Sequence, residues 1–199
     1  MNAHFILLAR YNAWATARLL GSVAALSEAD YRRDAGLFFK SIHGTLNHLL
    51  VGEHRLWFVR FSEGTSPRVA LDAELEPDRA RLDARLREGA ARCHELPFGL
   101  PRKGAVCGVA RACKVPTLLR AGALHPAPLR GNAIPFHSVN RPCTTMRGTA
   151  ASLPFAATLA HVFNHGTHHR GQITAVLTAL GRPCPELDFV YYLQNPSQP

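Results

Sequence analysis

Four histidines lie within nine residues near the carboxyl end of the chain, in the motif HVFNHGTHHRGQ from His161 to Gln172. Residues four apart on a helix share one face, with their Cβ atoms about 5–6 Å apart. His165 and His169 can therefore direct two imidazole nitrogens at one metal ion, at the roughly 2.0–2.1 Å that zinc requires. His161 and His168 lie close to the same face. The motif predicts part of a metal site.

A third ligand must come from another helix, because helix bundles build metal sites from side chains on facing helices. A second helical segment offers three candidates: His43, His48 and His54. His48 is flanked one turn away by Gly44 and Gly52, which would let a neighbouring helix approach closely. His54 lies about 120° around the helix from His48 at 100° per residue, so we expect it nearer the surface. The predicted ligands of one divalent metal ion are His48, His165 and His169.

Three neutral imidazoles with an open coordination position form a Lewis-acid site that can lower the pKa of a bound water or thiol. Zinc or nickel is the expected ion, and iron or cobalt would accept the same ligands. The chain has no HExxH, GxSxG or P-loop motif, so it lacks the glutamate base of zincins and the nucleophile elbow of hydrolases. The polar residues that could act as a base near the centre are Glu53, Asn164 and His168.

Helical periodicity predicts the elements that position these histidines. Apolar residues recur three and four apart over 2–26, 41–61 and 155–180, and the segment 77–96 adds two inward leucines to a face of mixed charge. Pro154 can start the last helix and Gly181 can end it. A short element is expected after the capping sequence at 27–30, and the apolar tail at 187–193 should pack on the bundle.

The segment 97–142 breaks this pattern. It holds seven prolines, no acidic residue and no sustained period, so we expect an irregular, Pro/Arg-rich insertion before the last helix within a single domain of residues 1–199. Eight of the 23 basic residues lie between Leu96 and Leu153, which leaves 15 basic against 14 acidic residues elsewhere. The net charge of +9 therefore belongs to one segment. Only Phe98 and Phe136 are aromatic in the insertion, too few for a single-strand stacking platform, and we expect no nucleic-acid partner.

Composition narrows the class further. No run of 18 apolar residues occurs, so no membrane span is expected. The five cysteines are odd in number and form no CxxC, which argues against a disulfide framework or a zinc–cysteine site and favours a reducing cytoplasm.

Three motifs carry a resemblance to a known family. The sequences YNAWATARLL, SIHGTLNHLLVGEHRLWFVRF and LAHVFNHGTHHRGQITAVLTALG resemble the DinB/YfiT-like family over residues 1 to about 96 and about 143 to 193. The resemblance implies an all-α, up-down-down-up four-helix bundle, often a homodimer. It also implies a divalent metal held by one histidine of the second helix and an HxxxH pair on the fourth, which correspond to His48, His165 and His169. The damage-inducible name of the family describes regulation and gives no ground for DNA binding.

Members similar to this chain include transferases and isomerases that use low-molecular-weight thiols. The expected function is therefore that of a metal-dependent transferase or hydrolase, which activates a low-molecular-weight thiol or water for attack on a small-molecule substrate. The alternative is a non-catalytic, metal-binding stress-response protein in which the ion joins two helices.

Overall fold

A computed structural model describes residues 2–93, 140–144 and 149–195. Within these ranges the helices are α1 (Asn2–Ala24), α2 (Glu28–Arg32), α3 (Ile42–Leu49), α4 (Phe58–Glu63), α5 (Arg79–Arg92), α6 (Phe155–Ala179) and α7 (Phe189–Gln194). A π-helical segment, Leu50–Trp57, joins α3 to α4. We call the continuous helix formed by α3, the π-helical segment and α4 the second helix. None of the described helices is both long and apolar enough to cross a membrane.

Side-chain caps and left-handed residues set the helix ends. The hydroxyl of Ser41 accepts a hydrogen bond from the Gly44 amide at the start of α3, and the Asp78 carboxylate caps α5 through the Arg81 amide. Ser27 caps α2 in the same way, as its capping sequence predicts. The second helix ends at Gly64, whose φ of 71° lies in the left-handed region that glycine adopts without strain.

Two core clusters define the direction of each long helix. One cluster joins the end of α1, the start of the second helix, the start of α5 and the end of α6, through residues that include Leu19, Val23, Ile42, Leu46, Leu82, Leu86, Ile173 and Leu177. The other joins the opposite ends of the same helices, through Phe5, Ala9, Phe61, Cys93, Phe155 and Leu159. The helices therefore run up, down, down and up, which confirms the predicted all-α bundle.

The four helices surround a shared interior. α1 packs mainly against α5 and α6, and the second helix packs against the same two, so α1 and the second helix lie on a diagonal. The apolar tail packs on α1, where Tyr11 and Trp14 contact Tyr192 and the Tyr11 hydroxyl donates a hydrogen bond to the Leu187 carbonyl at 2.7 Å. The tail therefore covers the outer face of α1, as predicted.

A short antiparallel hairpin precedes α6. Its strands are β1 (Asn140–Thr144) and β2 (Ala150–Pro154), paired from Asn140 opposite Pro154 to Thr144 opposite Ala150. Both strands of a two-stranded ribbon are edge strands, which is why the ladder tolerates Pro142. The prediction of an irregular insertion over 97–142 is wrong at its end, because residues 140–142 form part of β1. The rest of that insertion, 97–139, lies outside the described residues.

Candidate metal centre

The second helix and α6 bring three histidine rings together. The Nε2 atom of His165 lies 3.2 Å from Nε2 of His48 and 3.2 Å from Nε2 of His169. One ligand atom from each ring lies within 4.8 Å of the others, and this is the one such trio of histidine, cysteine or acidic side chains among the described residues. His48 and His169 are buried, and His165 is half-buried.

Hydrogen bonds at the far side of two rings orient them toward this point. The Nδ1–H of His48 donates to the Leu71 carbonyl at 2.8 Å, and the Nδ1–H of His169 donates to Oε1 of Gln172 at 2.7 Å. With the proton on Nδ1, each neutral ring keeps the lone pair on Nε2, as metal-bound histidines require. Nδ1 of His165 is buried and has no hydrogen-bond partner among the described residues.

Burial keeps these imidazoles neutral. Burial, together with the neighbouring His169 and His48, lowers the pKa of His165 to about 3. Burial also lowers the pKa of His48 and of His169, against the opposing hydrogen bonds to Leu71 and Gln172. The Nε2 atom of neutral His165 faces the Nε2 lone pairs of both His48 and His169. It carries at most one proton, so it can donate a hydrogen bond to only one of these two lone pairs. A divalent cation between the rings would satisfy all three, and the donor set fits such an ion.

The sequence comparisons agree with this architecture. The sequence model of the DinB family matches residues 1–92 and 145–198, which contain all four long helices and all three clustered histidines. The chain belongs to the DinB family. No curated protein and no solved structure matches it.

An aromatic ring and a glycine enclose the centre of this DinB-family chain. The Phe39 ring stacks on the His48 ring, with centroids 3.8 Å apart and planes 15° apart, and it meets the His169 ring edge-on at 5.7 Å. On the second helix, a Cβ added to Gly52 would lie 3.4 Å from Cε1 of His165. The absence of a side chain at Gly52 lets α6 bring His165 close to the second helix.

Three other histidines of this DinB-family chain lie outside the cluster. His161 and His168 are exposed on α6, and the His161 ring packs edge-on against Trp57 at 5.7 Å. His43 is buried at the start of the second helix, where its Nε2 lies 2.7 Å from Oε1 of Glu74. None of these three rings belongs to the cluster that could hold a metal.

His54 is where our expectation from the sequence was wrong. Its side chain is only 11% exposed, and a Cβ added to Gly89 would overlap its ring, so His54 is pressed against α5. The expectation assumed 100° per residue, whereas residues 50–57 form a π-helical segment with wider turns. Burial lowers the pKa of His54, which keeps this ring neutral in the helix interface.

The three residues considered as bases have different environments in this DinB-family bundle. Asn164 and His168 are exposed on α6. Glu53 is buried, and its Oε2 atom accepts a hydrogen bond from Nδ2 of Asn12 at 3.0 Å. The Oδ1 atom of the same Asn12 accepts a hydrogen bond from Nη1 of buried Arg170 at 2.6 Å. Asn12 thus bridges a buried carboxylate and a buried guanidinium.

Sequence reasoning missed three contributors to the centre. Gln172 lies three residues after His169, so helical spacing could have identified it as the partner of Nδ1. The Phe39 ring and the Leu71 carbonyl come from loops before and after the second helix, and no periodic signal marks them.

Proposed function

We propose that this DinB-family protein binds one divalent metal ion through His48, His165 and His169, as a metal-dependent transferase or hydrolase. A small molecule would be its substrate, and a low-molecular-weight thiol or water its nucleophile. The observation that carries the proposal is the approach of three Nε2 atoms, with His165 at 3.2 Å from each of the other two. The predicted homodimer belongs to the same proposal, and sedimentation velocity would check it.

The residues of the chain would prepare the site for a cation. Leu71 and Gln172 hold the Nδ1 protons of His48 and His169, so Nε2 of each ring stays an acceptor. Burial keeps the rings neutral, and the Phe39 ring shields one side of the centre from water. When bound, the ion would supply the Lewis acidity that lowers the pKa of a thiol or water. Zinc or nickel is the expected ion for three imidazoles.

The first test removes each ligand in turn. We expect His48→Ala, His165→Ala and His169→Ala each to weaken metal binding by at least about 100-fold, since even supporting changes around a metal cost about 10–100-fold. Elemental analysis after dialysis against zinc or nickel gives the metal content, and far-ultraviolet circular dichroism checks that the variants stay helical.

Two neighbouring histidines provide the matched control. His161→Ala and His168→Ala remove exposed rings from the same helix, and both variants should bind metal as the original chain does. Unchanged metal content in all three ligand variants would contradict the proposed site.

A second candidate function is a non-catalytic, stress-response role in which the ion ties the second helix to α6. The positions of the three considered bases favour it, since Asn164 and His168 are exposed and Glu53 is engaged by Asn12. A catalytic centre keeps a coordination position open to exchange, whereas a structural one is saturated. The response of the cobalt-loaded protein to added thiols therefore separates the two functions.

A further inference from the structure

A cavity of about 470 Å³ adjoins the candidate metal centre. Its lining consists of three apolar side chains, one cation, one anion and a helical glycine: Phe38, Phe39, Leu71, Lys40, Asp72 and Gly44. This volume falls in the range of small-molecule sites, roughly 300–1,000 Å³.

Two residues belong to both the cavity and the metal centre. Phe39 lines the cavity and also packs on the rings of His48 and His169. Leu71 also lines the cavity, and its backbone carbonyl accepts the hydrogen bond from Nδ1–H of His48. A molecule in the cavity would therefore contact the Phe39 ring, which itself packs on the rings of two candidate metal ligands.

The apolar lining is exposed, and the loop that carries Phe38 and Phe39 is held by backbone hydrogen bonds. Phe38 is 83% exposed and Leu71 is 46% exposed, and exposed apolar side chains grouped in this way are typical of binding surfaces. The Ala35 amide donates to the Lys40 carbonyl, and the Lys40 amide donates to the Leu37 carbonyl, both at 2.8 Å. Lys40 itself adopts a φ of 66°, a left-handed conformation that is strained for a residue other than glycine and that clusters at functional sites.

We propose that this cavity binds the apolar body, aromatic or branched alkyl, of the molecule whose reacting group reaches the metal centre. The inference rests on the proposed function, because it places a substrate beside the metal. One lysine and one aspartate line the cavity, so its charge balances and favours a body without net charge. Phe38 and Leu71 would provide the contacts, and Phe39 would align the body with the ligands.

The test compares two thiols of similar acidity that differ in an aromatic ring. Benzyl mercaptan and 2-mercaptoethanol are titrated separately into the cobalt-loaded full-length chain, and the visible absorption spectrum of the cobalt gives each dissociation constant. Burial of a phenyl ring is expected to make benzyl mercaptan bind at least about tenfold more tightly. In Phe38→Ser and Leu71→Ser the ratio of the two constants should fall toward one.

Leu193→Ser is the matched control, because Leu193 is 48% exposed on α7, outside the cavity. It should keep the ratio of the original chain. Equal binding of the two thiols, or a preference that Phe38→Ser and Leu71→Ser leave intact, would overturn the inference and leave the metal site standing. Bound cobalt that responds to neither thiol would overturn the proposed thiol chemistry, and the inference with it.

Discussion

At the scale of single residues, the three clustered histidines are held to different degrees. His48 and His169 are 4% and 6% exposed, and each is oriented by a hydrogen bond from Nδ1. His165 has its Nδ1 buried beside Gly52, with no hydrogen-bond partner among the described residues. Among the three rings, the orientation of His165 therefore depends most on what binds its Nε2 atom.

Acid should destabilise the metal-free protein through these rings. Burial lowers the pKa of His165 to about 3 and lowers those of His48 and His169, whereas unfolded histidine titrates near pH 6.5. Below about pH 6.5 the unfolded chain binds more protons than the folded one, so the free energy of unfolding falls as the pH falls toward about 3. Urea unfolding in the presence of a chelator, from pH 7.5 to pH 4.5, measures this slope.

The variant His165→Gln should show a shallower slope, because among the three clustered rings it removes the one whose pKa is lowered the most strongly. His168→Gln controls for the loss of a histidine from an exposed position of the same helix. If His165→Gln keeps the slope of the original chain, His165 does not contribute to this acid sensitivity.

At the scale of elements, two glycines let the second helix and α6 approach each other. Gly52 makes room for the His165 ring on one side of the contact. On the other side, a Cβ added to Gly166 would overlap Oε1 of buried Glu53 and lie 3.1 Å from Oδ1 of Asn12. Both contacts lie beside a candidate metal ligand, so the spacing of the two helices determines whether the three rings can meet.

Gly166→Ala should therefore destabilise the bundle. Overpacking of a filled interior costs about 1–3 kcal/mol, and the bridged Glu53 has little room to move. Gly171→Ala on the same helix meets nothing within 4 Å and should stabilise the helix by about 0.5–1 kcal/mol. Urea unfolding of both variants measures the difference, and equal stabilities would contradict the close approach at Gly166.

The spacing of the apolar residues did not predict the π-helical segment. Apolar residues such as Leu46, Leu49 and Leu56 predict a continuous helix from 41 to 61, and the helix does run without a break from Ile42 to Glu63. Within it, residues 50–57 wind more widely, and His54, which lies in this segment, packs against Gly89 of α5. Single-residue propensities do not distinguish an α-helix from a π-helix, because the two differ only in whether each amide donates its hydrogen bond to a carbonyl four or five residues earlier.

At the scale of the whole molecule, the interior joins helices through polar groups as well as apolar ones. Asn12 of α1 accepts from Arg170 of α6 and donates to Glu53 of the second helix, so one amide connects three helices. Burial lowers the pKa of Arg170, while the nearby Glu53 carboxylate opposes that shift. The histidine cluster adds a further connection between the second helix and α6.

A metal ion bound across that connection should stabilise the fold. Ligands from two helices come together only in the folded chain, so binding raises the free energy of unfolding by about 2.7 kcal/mol at a free metal concentration of 100 times the dissociation constant. Urea unfolding with zinc and with a chelator measures the increment. His169→Ala should lose it and His161→Ala should keep it. An equal increment in both variants would show that zinc stabilises the chain elsewhere.

The features that depend on local spacing could be predicted from the order of the residues. The pair His165 and His169 shares a face because one helical turn separates the two residues, and the apolar periods placed the long helices within a few residues of their observed ends. The family motifs identified the up-down-down-up order, which the two core clusters confirm.

The contacts between groups that are distant in the chain became known from the folded molecule. It placed His48 at 3.2 Å from His165 across 117 residues of chain, stacked Phe39 on His48 and brought the Leu71 carbonyl to its Nδ1 atom. It also turned His54 away from the surface. The physical reason is that periodicity fixes neighbours within one helix, whereas contacts between elements depend on helix winding, on spacing set by glycines, and on loops that carry no period.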